Sequence, residues 1–287
     1  MITTCSERLS VKYKPYFLLL NFYFLLIIND IMISKNQQKY ISSLEQKKNR
    51  KKENVFVAEG FKIVEELLDA GYKPKMIVAC EKWMSQHLTP NTHHPTLITV
   101  TEDELRKTSF LQHPQQVLGV FEMPDDNSIP DAQWIREHLC IALDGVQDPG
   151  NLGTIIRIAD WFGIDTIICS QTTADAYAPK VVQATMGSIS RVKIIYTDLA
   201  EFLKGLDSEI PIYGTLLDGE NIYTKQLSTN GIIVMGNEGN GISPAIRELV
   251  NNRLLIPSYP PERPTAESLN VAIATAITVA EFRRRTQ

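Results

Sequence analysis

Short apolar runs alternate with helical and turn-like segments along most of this chain. Val55-Phe-Val reads as a strand. After the Glu59-Gly60 turn, Phe61, Val64, Leu67 and Leu68 recur at helical spacing. Gly71 closes that helix, and Pro74 precedes a strand at Met76–Ala79. Leu97–Val100 predicts another strand, Thr101-Glu-Asp-Glu104 a capped helix, and Val117–Phe121 a further strand. Together these describe a small α/β sandwich. Met123–Pro130 is polar, with proline near both ends, and predicts a linker. A second α/β unit starts near Trp134. It should hold strands at Leu139–Leu143, Thr166–Cys169, Val192–Ile195, Ile212–Leu216, Ile232–Met235 and Leu254–Ile256. Its helices should cover Asn151–Phe162, Pro179 to about Ser188, a turn or two near Ala200, Pro244–Val250 and Ser268–Arg284. Strands that alternate with helices in this way predict a parallel sheet, and ligands bind beyond the carboxyl ends of such strands.

The first residues show another pattern. Phe17–Ile28 is apolar, but it falls short of the about 20 residues of a membrane span and is interrupted by Asn21. No small-residue cleavage site comes after it. The division expected is therefore a dispensable extension at 1–31, a substrate-binding domain at 32–122, a linker at 123–136 and a catalytic domain at 137–287. No stable membrane association is expected, the rival being a weak anchor.

The chain has 287 residues, ample for two cores, and a net charge of −4 that gives no global signature of nucleic-acid binding. Any such signature must be local. Lys47-Lys-Asn-Arg-Lys-Lys52 qualifies, either as a phosphate-contacting patch or as a solvated helix end. The cysteines (Cys5, Cys80, Cys140, Cys169) lack C-x-x-C spacing, and three of them lie in or beside apolar runs. A reducing cytoplasm is expected, without disulfides or a zinc site. His93-His94 has no ligand-spaced partner, so no metal is expected.

Three polar loops come after strand-like runs and carry the chemistry. In the first, Asp148-Pro-Gly-Asn-Leu-Gly153 cannot continue a strand. Asn151 is a candidate N-cap, and Gly153 permits close approach to the first helical turn. Arg157 stands among Ile155, Ile156, Ile158 and Ala159. A cation in an apolar helix calls for a partner, either a carboxylate such as Asp144 or Glu238 or a substrate phosphate. The second loop, Gly236-Asn-Glu-Gly-Asn-Gly241, has neither a P-loop ending nor the spacing of a dinucleotide fingerprint, which disfavours a nucleotide-dependent oxidoreductase. The third runs from Pro257 to Asn270, where Ser268 or Asn270 can cap the next helix. That helix is small and apolar on nearly every side, as at a subunit interface or under another chain segment.

Together, Asn151-x-Gly153-x-x-x-Arg157, Gly236-Asn-Glu-Gly-x-Gly-Ile-Ser243 and Ile256-Pro257…Glu267-Ser-Leu-Asn-Val271 resemble the three motifs of the SpoU (TrmH-type) RNA 2′-O-ribose methyltransferases. The resemblance covers Leu139 to the C-terminus, and Val55–Leu68 resembles the start of the family's N-terminal substrate-binding domain, a ribosomal-protein-like fold. One departure lies in the third loop, which usually has Met and Gly after Ile-Pro and is shorter; here Ser258–Ala266 is longer and lacks glycine.

The resemblance implies a C-terminal sheet tied in a trefoil knot, a homodimer and S-adenosylmethionine as cofactor. It further implies 2′-O-methylation of structured RNA, ribosomal RNA before transfer RNA; a non-catalytic RNA-binding module would leave the three loops without a purpose. It places Asn151, Arg157, Glu238, Ser268 and Asn270 at the reaction site, and Thr215, Leu216, Gly236, Asn237, Gly239, Ile256 and Leu269 around the cofactor.

Overall fold

The computed structural model describes residues 32–87, 96–126, 128–260, 264, 266 and 268–284. The apolar run at Phe17–Ile28, the His93-His94 pair and Glu267 lie outside the described residues.

The N-terminal unit runs α1 (Lys35–Ser43), α2 (Lys47–Glu53), β1 (Val55–Glu59), α3 (Phe61–Asp69), β2 (Pro74–Cys80), α4 (Glu81–His87), β3 (Leu97–Val100), α5 (Glu102–Thr108) and β4 (Val117–Glu122). Its sheet has the order β1-β4-β2-β3, with β4 antiparallel to both neighbours and β2 parallel to β3. Helix starts obey local chemistry. Ser34 with Gln37, and Thr101 with Glu104, form reciprocal capping boxes.

The C-terminal unit continues with α6 (Ala132–Ile135), β5 (Leu139–Asp144), α7 (Pro149–Trp161), β6 (Thr166–Ser170), α8 (Pro179–Thr185), β7 (Lys193–Thr197), α9 (Leu199–Lys204), β8 (Ile212–Asn221), β9 (Gly231–Gly236), α10 (Pro244–Arg247), β10 (Asn252–Leu255) and α11 (Val271–Arg284). Its six strands lie in the order β10-β8-β9-β5-β6-β7, and every pair is parallel. From β5 the chain builds outward through β6 and β7, then crosses to lay β8 and β9 on the other side. The neighbours β5 and β9 thus form a topological switch point, where the loops leaving their carboxyl ends open a crevice.

Several elements differ from expectation for local reasons. The helix after β5 starts at Pro149, not Asn151, because Asp148 is its cap and accepts from Asn151 N at 2.8 Å. Proline at the first position costs no hydrogen bond there. The helix from Pro179 stops at Thr185, and α10 spans Pro244–Arg247 only. β8 runs on to Asn221, pairing with β10 across a register shift.

The two units share buried contacts. Phe56 lies 5.0 Å from the Tyr177 ring, and Tyr72 Oη donates to Ile189 O at 3.3 Å. Arg50, in the basic run, is 2% exposed. It donates to Leu44 O and Glu45 O and pairs with Asp175 at 2.6 Å. The run therefore splits: Lys47, Lys48, Lys51 and Lys52 face solvent, while Arg50 serves the interdomain contact. Among the described residues no helix is long and apolar enough to cross a membrane.

Candidate active site

The crevice gathers all three polar loops. Asp144, at the end of β5, accepts from Ser243 N at 2.7 Å, joining the first loop to the second. Asn237 does the same from the other side: its Nδ2 donates to Gly145 O at 2.7 Å, while its Oδ1 accepts from Gly239 N and Asn240 N. The turn closes on itself through paired Asn237–Gly241 backbone bonds. Glu238 is thereby presented to the first loop.

Glu238 is the hub of a network that spans the crevice. It accepts from Gln147 N at 3.2 Å, Asp148 N at 3.2 Å and Asn151 Nδ2 at 3.0 Å. Asn151 in turn accepts, through Oδ1, from Asn270 Nδ2 at 2.9 Å. Asn270 is also the cap of α11, its Oδ1 taking the N–H groups of Ala272 and Ile273. One chain of hydrogen bonds thus runs through Glu238, Asn151 and Asn270, one residue from each loop. Partial burial works to raise the Glu238 carboxyl. The hydrogen bonds from Asn151 and from the N–H groups of Glu238, Gln147 and Asp148 outweigh it and hold the group below the usual glutamate range.

Beside this chain lies a cavity of about 470 Å³. Thr215 and Leu216 from β8, Gly236, Asn237, Glu238 and Gly239 from the second loop, Ile256 after β10, and Ser268 and Leu269 before α11 all line it. Every residue expected around a cofactor is therefore at this wall, together with Glu238 and Ser268 from the expected reaction site. Leu217 and Leu269 present exposed apolar side chains to it. Exposed leucines beside loop amides and a carboxylate suit a ligand with both an apolar ring and polar ends. Asp218 and Arg247 also line the cavity, paired at 2.7 Å, and Arg253 joins the same carboxylate. No sequence signal marks this group, because its members come from three separate elements.

Arg157 is not drawn into the network. It lies on the exposed face of α7, and among the described residues neither Asp144 nor Glu238 is its partner. The ion pair that was one expectation for Arg157 is not formed among the described residues, because the side chain leaves the helix on its solvent face. A separation of six residues on a helix also turns Arg157 away from the Asn151 direction.

Two motif glycines have an internal reason. A Cβ on Gly153 would run into the Cβ of Ala184 and sit 3.0 Å from Val181 O, so the residue lets α7 and α8 touch. A Cβ on Gly236 would collide with the backbone of Gly241 and Ile242, so glycine is required by the loop's own fold. Buried thiols take no part: burial pushes Cys140 up to about 12 and Cys169 up as well. Among the described residues no three His, Cys, Asp or Glu side chains gather as a metal site.

α7 and α11 lie side by side in the same direction. Asn270 holds Asn151 at one end, and at the other Arg283 donates to Phe162 O and Gly163 O at 2.8 Å each. On this helical layer Trp161 is 85% exposed, and Ile273 is exposed as well.

Known proteins share both halves of this architecture. The model of the SpoU rRNA Methylase family matches residues 138–280, and that of the MRM3-like substrate binding domain matches 35–119. The chain is 33% identical over 260 residues to the 23S rRNA (guanosine(2553)-2′-O)-methyltransferase RlmP of Bacillus subtilis, across 89% of this chain and 100% of that protein. Among solved structures it resembles a TrmH-family protein of Porphyromonas gingivalis, with 39% identity, TM-score 0.77, and 88% and 99% of the two chains covered. An AdoMet-bound rRNA methyltransferase from Sinorhizobium meliloti is similar at 31% identity and TM-score 0.77, over 91% and 99% of the chains.

Proposed function

The chain belongs to the SpoU rRNA methylase family, and from that premise we propose that it methylates a ribose 2′-hydroxyl of ribosomal RNA with S-adenosylmethionine. The observation that carries this reading is the chain of hydrogen bonds through Glu238, Asn151 and Asn270 beside the 470 Å³ cavity. It ties the three loops into one site at the switch point of a parallel sheet. A pure RNA-binding module would have no need of it, and a transfer RNA substrate is less favoured by the full-length similarity to a 23S rRNA enzyme.

The backbone at Gly236, Ile256 and Leu269 and the walls at Thr215, Leu216, Asn237 and Gly239 would hold the cofactor. When bound, it supplies an electrophilic methyl group on a positively charged sulfur. The protein's part is then positioning. Glu238, ionised and saturated with donors, fixes the loops. Asn151 has both ends of its amide committed and fixes the start of α7. Ser268 and Asn270 close the third side. Arg157 is a poor base but a planar, permanently charged fork, and its solvent-facing guanidinium suits the phosphate next to the acceptor ribose. It would orient the hydroxyl for in-line attack.

The C-terminal sheet carries the family's trefoil knot. The protein works in the cytoplasm as a homodimer joined through the α7–α11 layer, where Trp161 and Ile273 give an apolar surface next to Arg157. Residues 32–122 select the RNA, and residues 1–31 are dispensable.

Calorimetry should find one S-adenosylmethionine site per chain. Protein supplied with tritiated cofactor should label a 23S rRNA transcript at ribose, read as resistance to alkaline hydrolysis at one position. Arg157→Ala should keep cofactor affinity and lose transfer by about a hundredfold or more, and Arg157→Lys should rescue little. Transfer within a few-fold of wild type in Arg157→Ala would remove it from the acceptor side. Cofactor binding without label in any ribosomal transcript would defeat the substrate assignment.

A further inference from the structure

A second cavity, about 350 Å³, lies in the N-terminal unit between the first turn of α3, α5 and the loop that leads into β4. Phe61 is 52% exposed there, although α3 buries Ile63, Val64 and Leu67 on its other face. Leu105 and Pro114 extend the apolar wall, and Arg106, Gln115 and Gln116 form a polar rim.

The rim is held in place from several sides. Gln116 takes a left-handed backbone, φ 59°, a conformation that costs a residue with a side chain. Its carbonyl accepts from Cys80 N at 2.8 Å, and Gly60 N donates to Val117 O at 3.0 Å, so the backbone that carries both glutamines is anchored at the start of β4, between β1 and β2. At the far end of the loop the buried Glu59 carboxylate accepts from Phe110 N at 2.8 Å and from the Ser109 hydroxyl. Among the described residues Arg106 is engaged only by Asp103, in an exposed pair of little worth that a ligand can displace.

An open aromatic face, a guanidinium and two primary amides carried on an anchored turn match a flat ligand with π-faces and a donor–acceptor edge. A bare phosphate or acidic peptide fits poorly, because the Glu102 carboxylate lines the same cavity. The volume is at the low end for small-molecule pockets, enough for one base and too small for a duplex. The major-groove base edges of a paired A-form helix are out of reach of side chains, whereas bases in loops and bulges can be splayed out into a pocket. We propose that this cavity receives one unpaired nucleobase of the RNA substrate, stacked on Phe61 and read at its edge by Gln115 and Gln116. This rests on the RNA methyltransferase reading and adds a specificity site remote from the reaction loops.

The test is filter binding of an in vitro 23S rRNA transcript over a range of salt concentrations. Phe61→Leu should weaken binding about tenfold, in the range for loss of one stacked base. Phe61→Trp should stay within about twofold of wild type, and the salt slope should not change in either, since every phosphate neighbour is kept. A transcript carrying 4-thiouridine should crosslink to the peptide that contains Phe61. Near-normal binding by Phe61→Leu, a loss accompanied by a flatter salt slope, or crosslinks confined to other peptides would each overturn the proposal. If wild type binds and methylates while Phe61→Leu is unaffected, only the base pocket falls. If wild type binds no transcript, the functional reading falls with it.

Discussion

Glu238→Gln is the most searching single change, because it keeps shape and removes charge at the hub of the site. In the native loop each carboxylate oxygen faces donors: Oε1 takes Asp148 N and Asn151 Nδ2, and Oε2 takes Gln147 N. A glutamine has only one accepting oxygen. Whichever way it turns, an amide NH₂ meets N–H groups and at least one hydrogen bond to a charged acceptor is lost. Such bonds contribute about 1.5–3 kcal/mol each when shielded. Glu238 is exposed, so screening reduces the expected loss to about 1–2 kcal/mol. The larger effect should be on geometry, since a displacement near 1 Å at a positioning residue costs roughly a hundredfold in rate. Methyl transfer to a 23S rRNA transcript should therefore fall far more than the melting temperature does.

The pH dependence supplies an independent check. The Glu238 pKa is lowered in the folded state, so its stabilisation is present above the unfolded glutamate value and is lost as pH falls through the folded one. Wild-type melting temperature should drop across that acid window more than that of Glu238→Gln. Equal acid sensitivity in the two proteins, or transfer by Glu238→Gln within a few-fold of wild type, would refute the hub role.

Other outcomes rest on single interactions. Arg50→Ala leaves Asp175 facing the interdomain contact without its cation, and thermal unfolding should show a loss of about 3 kcal/mol; an unchanged midpoint would mean the pair is idle. Changing Lys47, Lys48, Lys51 and Lys52 to Gln while keeping Arg50 should weaken RNA binding and flatten its salt dependence by roughly 0.7–0.9 in log–log slope for each phosphate released. Normal binding at all salt concentrations would make them a solvated helix end. Gly153→Ala forces α7 away from α8, with an expected cost of about 1–3 kcal/mol of overpacking; a neutral melting temperature would count against the close helix contact. Trp161→Asp should yield a monomer by light scattering, and an intact dimer would move the interface elsewhere.

Most elements of both units were legible along the chain because they depend on near neighbours. The strand runs from Val55 to Leu255 arise from apolar, β-branched stretches bounded by turn residues, and the Thr101–Glu104 box fixes its helix start over three residues. The three polar loops were recognisable for the same reason: each is a local motif at a strand end. What stayed hidden was partner choice. Asn151 has the composition of a cap, yet Asp148 holds that place and Asn151 spans to Glu238 and Asn270, 87 and 119 residues away. Arg50 is one of five cations in a run, and only the packing of the second unit against it decides that this one is buried. Arg157 sits in an apolar stretch of sequence and still faces solvent, because the helix turns it away from the core that Ile155, Ile156 and Ala159 fill. Gly153 and Gly236 are motif glycines whose reason is contact with the chain itself. Periodicity and capping act over a few residues, so the elements and the loops can be read from the chain alone. The order β10-β8-β9-β5-β6-β7 joins segments about ninety residues apart, β5 and β9, at the centre of the sheet. Which carboxylate, amide or cation meets which depends on that long-range packing, and no run of neighbours encodes it.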